Sequence, residues 1–300
     1  MTLIDSFIVD MEARRLAPDT IEIYARILRR FGEFMAARDR PPENATRQDF
    51  RAYLDLLRER RISRITASSY FGAISSFYSW LEFEEIIDKN PVSAVQKRYL
   101  QAYKAQIGHT HQMVSTEDAA RLVENLVDVR DKALLMVLFT TGIRCKELVD
   151  LDVSDLNLES GRIILKPTHK RTNRVVFFTE EAGEYLGRWL KVRARRYPNE
   201  AALFVGGKGR FQRGGVSKVL QKNAVALGLH DKSSPNMEDH FSPHCCRHWF
   251  TTVLDRAGMK REHIQVLRGD VGKAAIDIYL HHDLEQIREE YLRCMPRLGV

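Results

Sequence analysis

The sequence predicts a mainly α protein with a small β-sheet, arranged as two domains. Three observations carry that expectation. Apolar positions recur at helical spacing through the first hundred residues. Two short β-branched and aromatic runs, GRIILK and RVVFFT, stand close together in the second half. Between the two parts, RYLQAYKAQIGHTHQMV at 98–114 shows no sustained periodicity and contains Gly108. The expected division is a helical domain at 1–97, a linker at 98–114 and a mixed domain at 115–300. A chain of 300 residues can fill two ordinary cores.

The helices follow in order. In PDTIEIYARILRRFGEFM, Pro18 stands near the start, and Ile21, Tyr24, Ile27, Leu28, Phe31 and Phe34 recur on one face. TRQDFRAYLDLLRERR has Thr46 as its N-cap and Phe50, Tyr53, Leu54 and Leu57 as its stripe. ITASSYFGAISSFYSWLEF follows with Tyr70, Ile74, Phe77, Tyr78 and Leu81. Pro91 then disfavours helix at Asn90. STEDAARLVENL restarts with a weak capping box, Ser115 and Asp118. RDKALLMVLFTTG reads as a buried helix ending at Gly142, and PTHKRTN as the turn between the two β runs. EEAGEYLGRWLKVRARRY is helical, and helices dominate again from SKVLQKNAVALGL to the end. GGKGRFQRGG reads as a basic, glycine-rich loop, able to track a phosphate backbone or to remain mobile.

Composition narrows the class. A hydrophobic fraction of 44% and a charged fraction of 29% describe a soluble globular chain. The net charge of +7 and pI near 9.2 suggest a polyanionic partner, nucleic acid or an anionic membrane surface. The four cysteines include no C-x-x-C pair and no disulfide framework. MTLIDSFIVDMEARRL lacks a long apolar stretch, so no secretory signal is expected. The most apolar run, ALLMVLF, is too short to span a bilayer. The expected compartment is the cytoplasm.

The chemistry-bearing residues are ambiguous when read locally. In HFSPHCCRHWF, His240, His244 and His248 share an i, i+4, i+8 spacing that hints at zinc. Pro243 breaks that face, and no carboxylate or C-x-x-C completes a ligand set. His244 and Arg247 fall on one face at a helix start, where free N–H groups suit an anion. Arg144, in TTGIRCKEL, is either paired with Glu147 or held for an external anion. Lys170 lies in the hairpin turn among Lys166, Arg171 and Arg174, a setting that also fits a solvated basic turn. Tyr279, in DIYLHH, reads locally as a core tyrosine.

Taken in order, these segments resemble the tyrosine recombinase (phage-integrase-type) family over nearly the whole chain. TTGIRCKEL looks like its first arginine box, SPHCCRHWFTTVLDRAG like its H-x-x-R box, and IQVLRGDVGKAAIDIYLHH like the segment leading to its tyrosine. The helical N-terminal part, with P-D-T-I-x-x-Y, is similar to its SAM-like core-binding domain. The resemblance implies a two-domain DNA clamp acting on double-stranded DNA, with dimer-to-tetramer self-association and neither metal nor cofactor. Tyr279 would attack the scissile phosphate to give a 3′-phosphotyrosyl link. Arg144 and Arg247 would hold the non-bridging oxygens, and His244 would accept the tyrosine proton. Lys170, with Lys166 in reserve, would protonate the leaving 5′-oxygen.

One position departs from the family pattern. Where the family usually carries His or Trp, this chain reads LRGD and places Asp270, a feature that resembles archaeal members. A carboxylate there would repel phosphate unless paired, so Asp270 is expected to orient an arginine or His244. The segment after Tyr279 is expected to dock on a neighbouring protomer. The implied activity is strand exchange, in integration or excision of a mobile element or in Xer-like dimer resolution. Two rivals remain: a catalytically silent DNA-binding protein on the same fold, and a zinc hydrolase built on the histidines.

Overall fold

The computed structural model describes residues 2–100, 112–167, 175–234, 236–270 and 283–300. The chain divides into two units, Met1–Ile107 and Gly108–Val300, each with its own apolar core.

The first unit is helical: α1 (Leu3–Ala13), α2 (Pro18–Ala36), α3 (Arg47–Glu59), α4 (Arg64–Phe83) and the short α5 (Val92–Val95). Helix starts are set by local chemistry. Thr46 accepts from the Asp49 N–H at 3.4 Å, while the Asp49 carboxylate accepts the Thr46 N–H at 2.9 Å. The same reciprocal pair, Thr2 and Asp5, opens α1, which the apolar spacing did not single out. Pro18 occupies the first turn of α2, where its missing N–H costs nothing. The apolar stripes converge on an aromatic core, with Phe31 stacked on Phe50 at 5.8 Å and Phe50 edge-on to Tyr78 at 5.3 Å. After α4 the break at Asn90–Pro91 is pinned by the Asn90 amide, which donates to the Ser75 carbonyl at 3.0 Å and accepts from the Val92 N–H at 2.9 Å. Leu100 still belongs to this core, and Val114 already belongs to the other. Residues 101–111 of the expected linker lie outside the described residues.

The second unit is built on α7 (Val129–Thr141). Residues 133–139 are fully buried, as a helix apolar on all sides must be. It packs on α6 (Thr116–Glu124), α9 (Glu180–Arg196) and α11 (Pro243–Arg256). Between α8 (Cys145–Asp150) and α9 runs an antiparallel sheet, β1 (Leu156–Asn157), β2 (Arg162–Ile164) and β3 (Val175–Phe177). Its register pairs Ile163 with Val176, both buried, while Ile164 faces solvent. The expected hairpin is thus β2–β3, and its turn residues 168–174, including Lys170, lie outside the described residues.

GGKGRFQRGG differs from the expectation of a free loop. It forms a tight hairpin, β4 (Val205–Gly206) and β5 (Gly209–Arg210), and then opens α10 (Arg213–Ala226). The Phe211 ring is the cause. A Cβ at Gly206 would stand 3.0 Å from it and one at Gly215 2.8 Å, so the glycines let the chain close over the aromatic ring.

The last elements are α12 (Arg261–Arg268) and α13 (Leu284–Cys294), joined through Glu290, which accepts the Lys260 N–H at 3.1 Å and pairs with His263. Burial opposes Glu290 ionisation, but the Lys260 amide and the His263 ring outweigh it and hold its carboxyl below the usual range. The end of the chain packs on its own unit. Ile287 and Tyr291 are fully buried, and the Tyr291 hydroxyl donates to the Thr140 carbonyl at 2.8 Å, one of the carbonyls left open at the end of α7. The Glu181 carboxylate then accepts the N–H groups of Leu298 and Val300 at 3.0 and 2.9 Å. The apolar face of α13 completes this core.

Tyr291→Ala is expected to destabilise the C-terminal unit by about 3–5 kcal/mol, through the cavity it opens. Tyr291→Phe should cost about 1–3 kcal/mol, through the unpaired Thr140 carbonyl. Denaturant unfolding measures both, and an alanine variant within 1 kcal/mol of wild type would remove α13 from the core.

Candidate active site

The site begins where α7 ends. Gly142 takes φ +60°, and a Cβ there would lie 2.4 Å from the Phe250 ring. Only glycine meets both demands. The turn returns Ile143 to the core and delivers Arg144 as the N-cap of α8. Glu147, buried in the first turn of α8, accepts the Arg144 N–H at 2.7 Å and one guanidinium nitrogen, Nη1, at 3.2 Å. The other nitrogen, Nη2, is thereby turned toward Asp270, 3.2 Å from its Oδ1.

Arg247 comes from α11, which starts at Pro243 and buries Cys245, Cys246, Trp249 and Phe250. Arg247 lies on the same buried face and is only 3% exposed. A buried guanidinium needs partners on every side. Nη1 donates to the Gly142 carbonyl at 2.7 Å; Nη2 donates to the Arg268 carbonyl at 3.0 Å and to Asp270 Oδ1 at 2.8 Å. His244 and His248 stand one turn apart on the outer side of α11, rings edge-on with centroids 4.9 Å apart. His244 is exposed and His248 half-buried. His240 precedes the helix and turns away, its Nε2 at 2.8 Å from the Ser234 carbonyl.

Asp270 follows Gly269, which ends α12 at φ +62°. Its carboxylate meets a third cation as well: Arg268 Nε lies 3.0 Å from Oδ2. The structure therefore brings Arg144, Arg247 and Asp270 into direct contact and sets His244 one turn before Arg247. Tyr279 and Lys170 lie outside the described residues. Lys166, at the end of the β2 segment, is paired with Asp152 at 2.6 Å, and Asp152 also receives Arg210. Hydrogen bonds from Arg210 and Lys166 hold the Asp152 carboxyl below the usual range. Arg210 is fixed further by the Val149 and Leu151 carbonyls, each at 3.0 Å, so it serves packing within this unit.

Arg268 is the site residue that the sequence reading missed. Its only signal is its place two residues before Asp270, across a glycine, a spacing that matches neither helical nor strand periodicity. Chemically, the cluster presents two planar, permanently charged guanidinium groups whose N–H bonds converge on one oxygen. That arrangement suits an oxyanion with more than one acceptor oxygen.

Two family descriptions match this chain: Phage integrase family over residues 109–286, and Phage integrase, N-terminal SAM-like domain over residues 3–88. The Tyrosine recombinase XerC of Pelotomaculum thermopropionicum is 31% identical, over 98% of this chain and 98% of its own. A lambda integrase tetramer bound to a Holliday junction superposes with a TM-score of 0.69 at 15% identity, over 91% of this chain and 77% of that one. The Tn1549 transposon integrase in complex with transposon right end DNA gives 0.68 at 18% identity, over 98% and 99%. At such identities the two structures establish likeness of fold.

Gly142→Ala should destabilise the C-terminal unit by at least about 2 kcal/mol, from backbone strain and the Phe250 clash together. Gly142→Asn separates the two causes, since asparagine tolerates positive φ but keeps the Cβ. Thermal melts should show both variants impaired; near-complete recovery with asparagine would mean that the Phe250 contact is unimportant.

Proposed function

We propose a reaction for this chain from one premise: it belongs to the phage integrase family of tyrosine recombinases. The family sets the enzyme class, a site-specific recombinase that breaks and rejoins DNA strands. The residue roles are our reading, and the observation that carries it is the convergence of Arg144 Nη2 and Arg247 Nη2 on a single oxygen.

In this reading the two arginines bind the non-bridging oxygens of the scissile phosphate, where charge builds in the pentavalent transition state. The Tyr279 hydroxyl attacks phosphorus, forming the 3′-phosphotyrosyl bond as the bond to the 5′-oxygen breaks. His244, exposed on the face of α11, takes the phenol proton, which a free tyrosine holds with a pKa of roughly 10. A lysine gives a proton to the departing 5′-oxygen. Lys170 is the better candidate because Lys166 is tied to Asp152. One phosphoester replaces another, so the step balances without ATP, and a strand's 5′-hydroxyl reverses it. Before DNA binds, Asp270 orients the arginines, as its contacts with both support.

Double-stranded DNA is the substrate, and the protein works as a dimer that pairs into a tetramer. The lambda integrase tetramer on a Holliday junction, which shares this fold, supports that assembly. Xer-like resolution of DNA dimers is favoured over element integration, because the XerC likeness runs through 98% of both chains. No helix among the described residues is long and apolar enough to cross a membrane, and a cytoplasmic enzyme fits the substrate.

Nicked or bubble-containing suicide DNA, drawn from a pool of candidate sites, should trap a denaturation-resistant adduct in the presence of chelator. Tyr279→Phe should form none. Tight, specific binding by wild type with no adduct would instead favour the silent DNA-binding protein.

DNA with sulfur at the 5′-bridging position identifies the acid, because a thiolate departs without a proton. Lys170→Ala should cleave ordinary DNA about a hundredfold slower or worse and recover on the sulfur substrate. Lys166→Ala should be equally impaired on both. The opposite pattern would exchange their roles.

A further inference from the structure

We infer that Asp270 holds the place of a phosphate oxygen between Arg144 and Arg247, and that Arg268 takes over its carboxylate when phosphate arrives. This rests on the reading that the arginine pair binds the scissile phosphate. It adds an exchange step and a positioning residue, Arg268, that the reading alone does not supply.

The geometry is that of an occupied anion site. Asp270 Oδ1 accepts from Arg247 Nη2 at 2.8 Å and from Arg144 Nη2 at 3.2 Å. One oxygen carrying negative charge at the meeting point of two guanidinium groups is what a phosphodiester would offer there. Both cannot stay. Two anionic oxygens on the same pair of N–H donors repel each other and compete for the same directions. Phosphate therefore exchanges with the carboxylate rather than adding to it.

Exposure shows which acidic group is the one to leave. The Glu147 side chain is 4% exposed and holds both the Arg144 amide and its Nη1. The Asp270 side chain is 34% exposed and follows a glycine turn. Glu147 is a fixture, whereas Asp270 can turn outward. Arg268 is placed to receive it, its Nε in ionic contact with the second oxygen, Oδ2, at 3.0 Å but not yet aligned to donate a hydrogen bond. The Arg268 carbonyl stays bonded to Arg247 Nη2 at 3.0 Å, so the backbone is anchored while the carboxylate rotates. In the DNA-free protein Asp270 compensates the buried Arg247 charge; with DNA the phosphate does so, and Arg268 compensates Asp270.

Calorimetric titration of the full-length chain with inorganic phosphate tests this without knowledge of the recombination site. Asp270→Asn should bind phosphate roughly five- to a hundredfold more tightly than wild type, the usual span of a coupling between two ligands of one site. Arg268→Ala should bind several-fold more weakly than wild type, because the displaced carboxylate has lost its partner. In the Asp270→Asn background, Arg268→Ala should change affinity less than about twofold, which is within the additivity error for uncoupled sites. Equal or weaker binding by Asp270→Asn would overturn the surrogate role, and so would no binding by that variant at all. Equal weakening by Arg268→Ala in both backgrounds would make Arg268 a direct phosphate ligand and overturn the exchange. Arg144→Ala locates the binding; phosphate affinity persisting there would overturn the arginine-site reading itself. Thermal melts confirm each fold, and should Asp270→Asn not fold, an unchanged affinity in Arg268→Ala overturns the proposal alone.

Discussion

The buried guanidinium of Arg247 is the interaction on which the C-terminal unit depends. It lies almost wholly out of water and spends its donors on the Gly142 carbonyl, the Arg268 carbonyl and Asp270. Each of the two carbonyls stands at the end of a helix, where the chain has just turned through a left-handed glycine or is about to. A buried charge is costly unless every side is answered. Here the answers come from the ends of α7 and α12, so one side chain fixes two helix termini and the acidic residue beyond them. Loss of any partner leaves the cation uncompensated, so the turn at Gly142, already confined to glycine by its φ and the Phe250 ring, must also keep its carbonyl aimed at Arg247.

The same logic recurs around the core. Helix ends expose carbonyls that nothing in the helix can satisfy, and in this unit later segments satisfy them. Tyr291 reaches the Thr140 carbonyl from α13 in this way, while the loop after α9 is held by α9 itself, whose Arg193 and Trp189 donate to the Ala202 and Leu203 carbonyls. The polar ends of the inner elements are closed by outer ones, so α13 is as much part of the core as α7 despite its charged sequence.

Much of the fold was legible, for a definite reason. Helical spacing of large apolar residues marks α2, α3 and α4, and Thr46 and Ser115 cap their helices as threonine and serine at such positions do. β1 was not legible, because two residues carry no alternation. GGKGRFQRGG was misread because glycine is permissive: its conformation is decided by the Phe211 ring, itself covered by Arg130 at 4.3 Å, a contact between distant parts of the chain. The candidate site has the same character. Arg144, Arg247 and Asp270 are far apart in sequence; local rules left Arg144 open between pairing and anion binding, offered Arg247 only a generic anion site at a helix start, and gave Asp270 no reading at all. Only their order along the chain, as a resemblance, joined them. Arg268 belonged to no such pattern, and only the folded geometry brings it in.

The start of α11 carries a further consequence, for thiol chemistry. Cys245 and Cys246 are buried beside Arg247, and burial pushes both thiols above their ordinary range, Cys246 far above it. Cys145, half-buried at the start of α8, is pushed up to about 11. The thiolate is the reactive form, so burial of this kind works against reaction of these three sulfurs with oxidants and alkylating agents while the unit stays folded. Positive charge commonly lowers a neighbouring thiol and makes it reactive; at Cys145 desolvation prevails over the charge of Arg213. The helix that carries Arg247 thus opens with two adjacent cysteines whose burial works against thiolate formation.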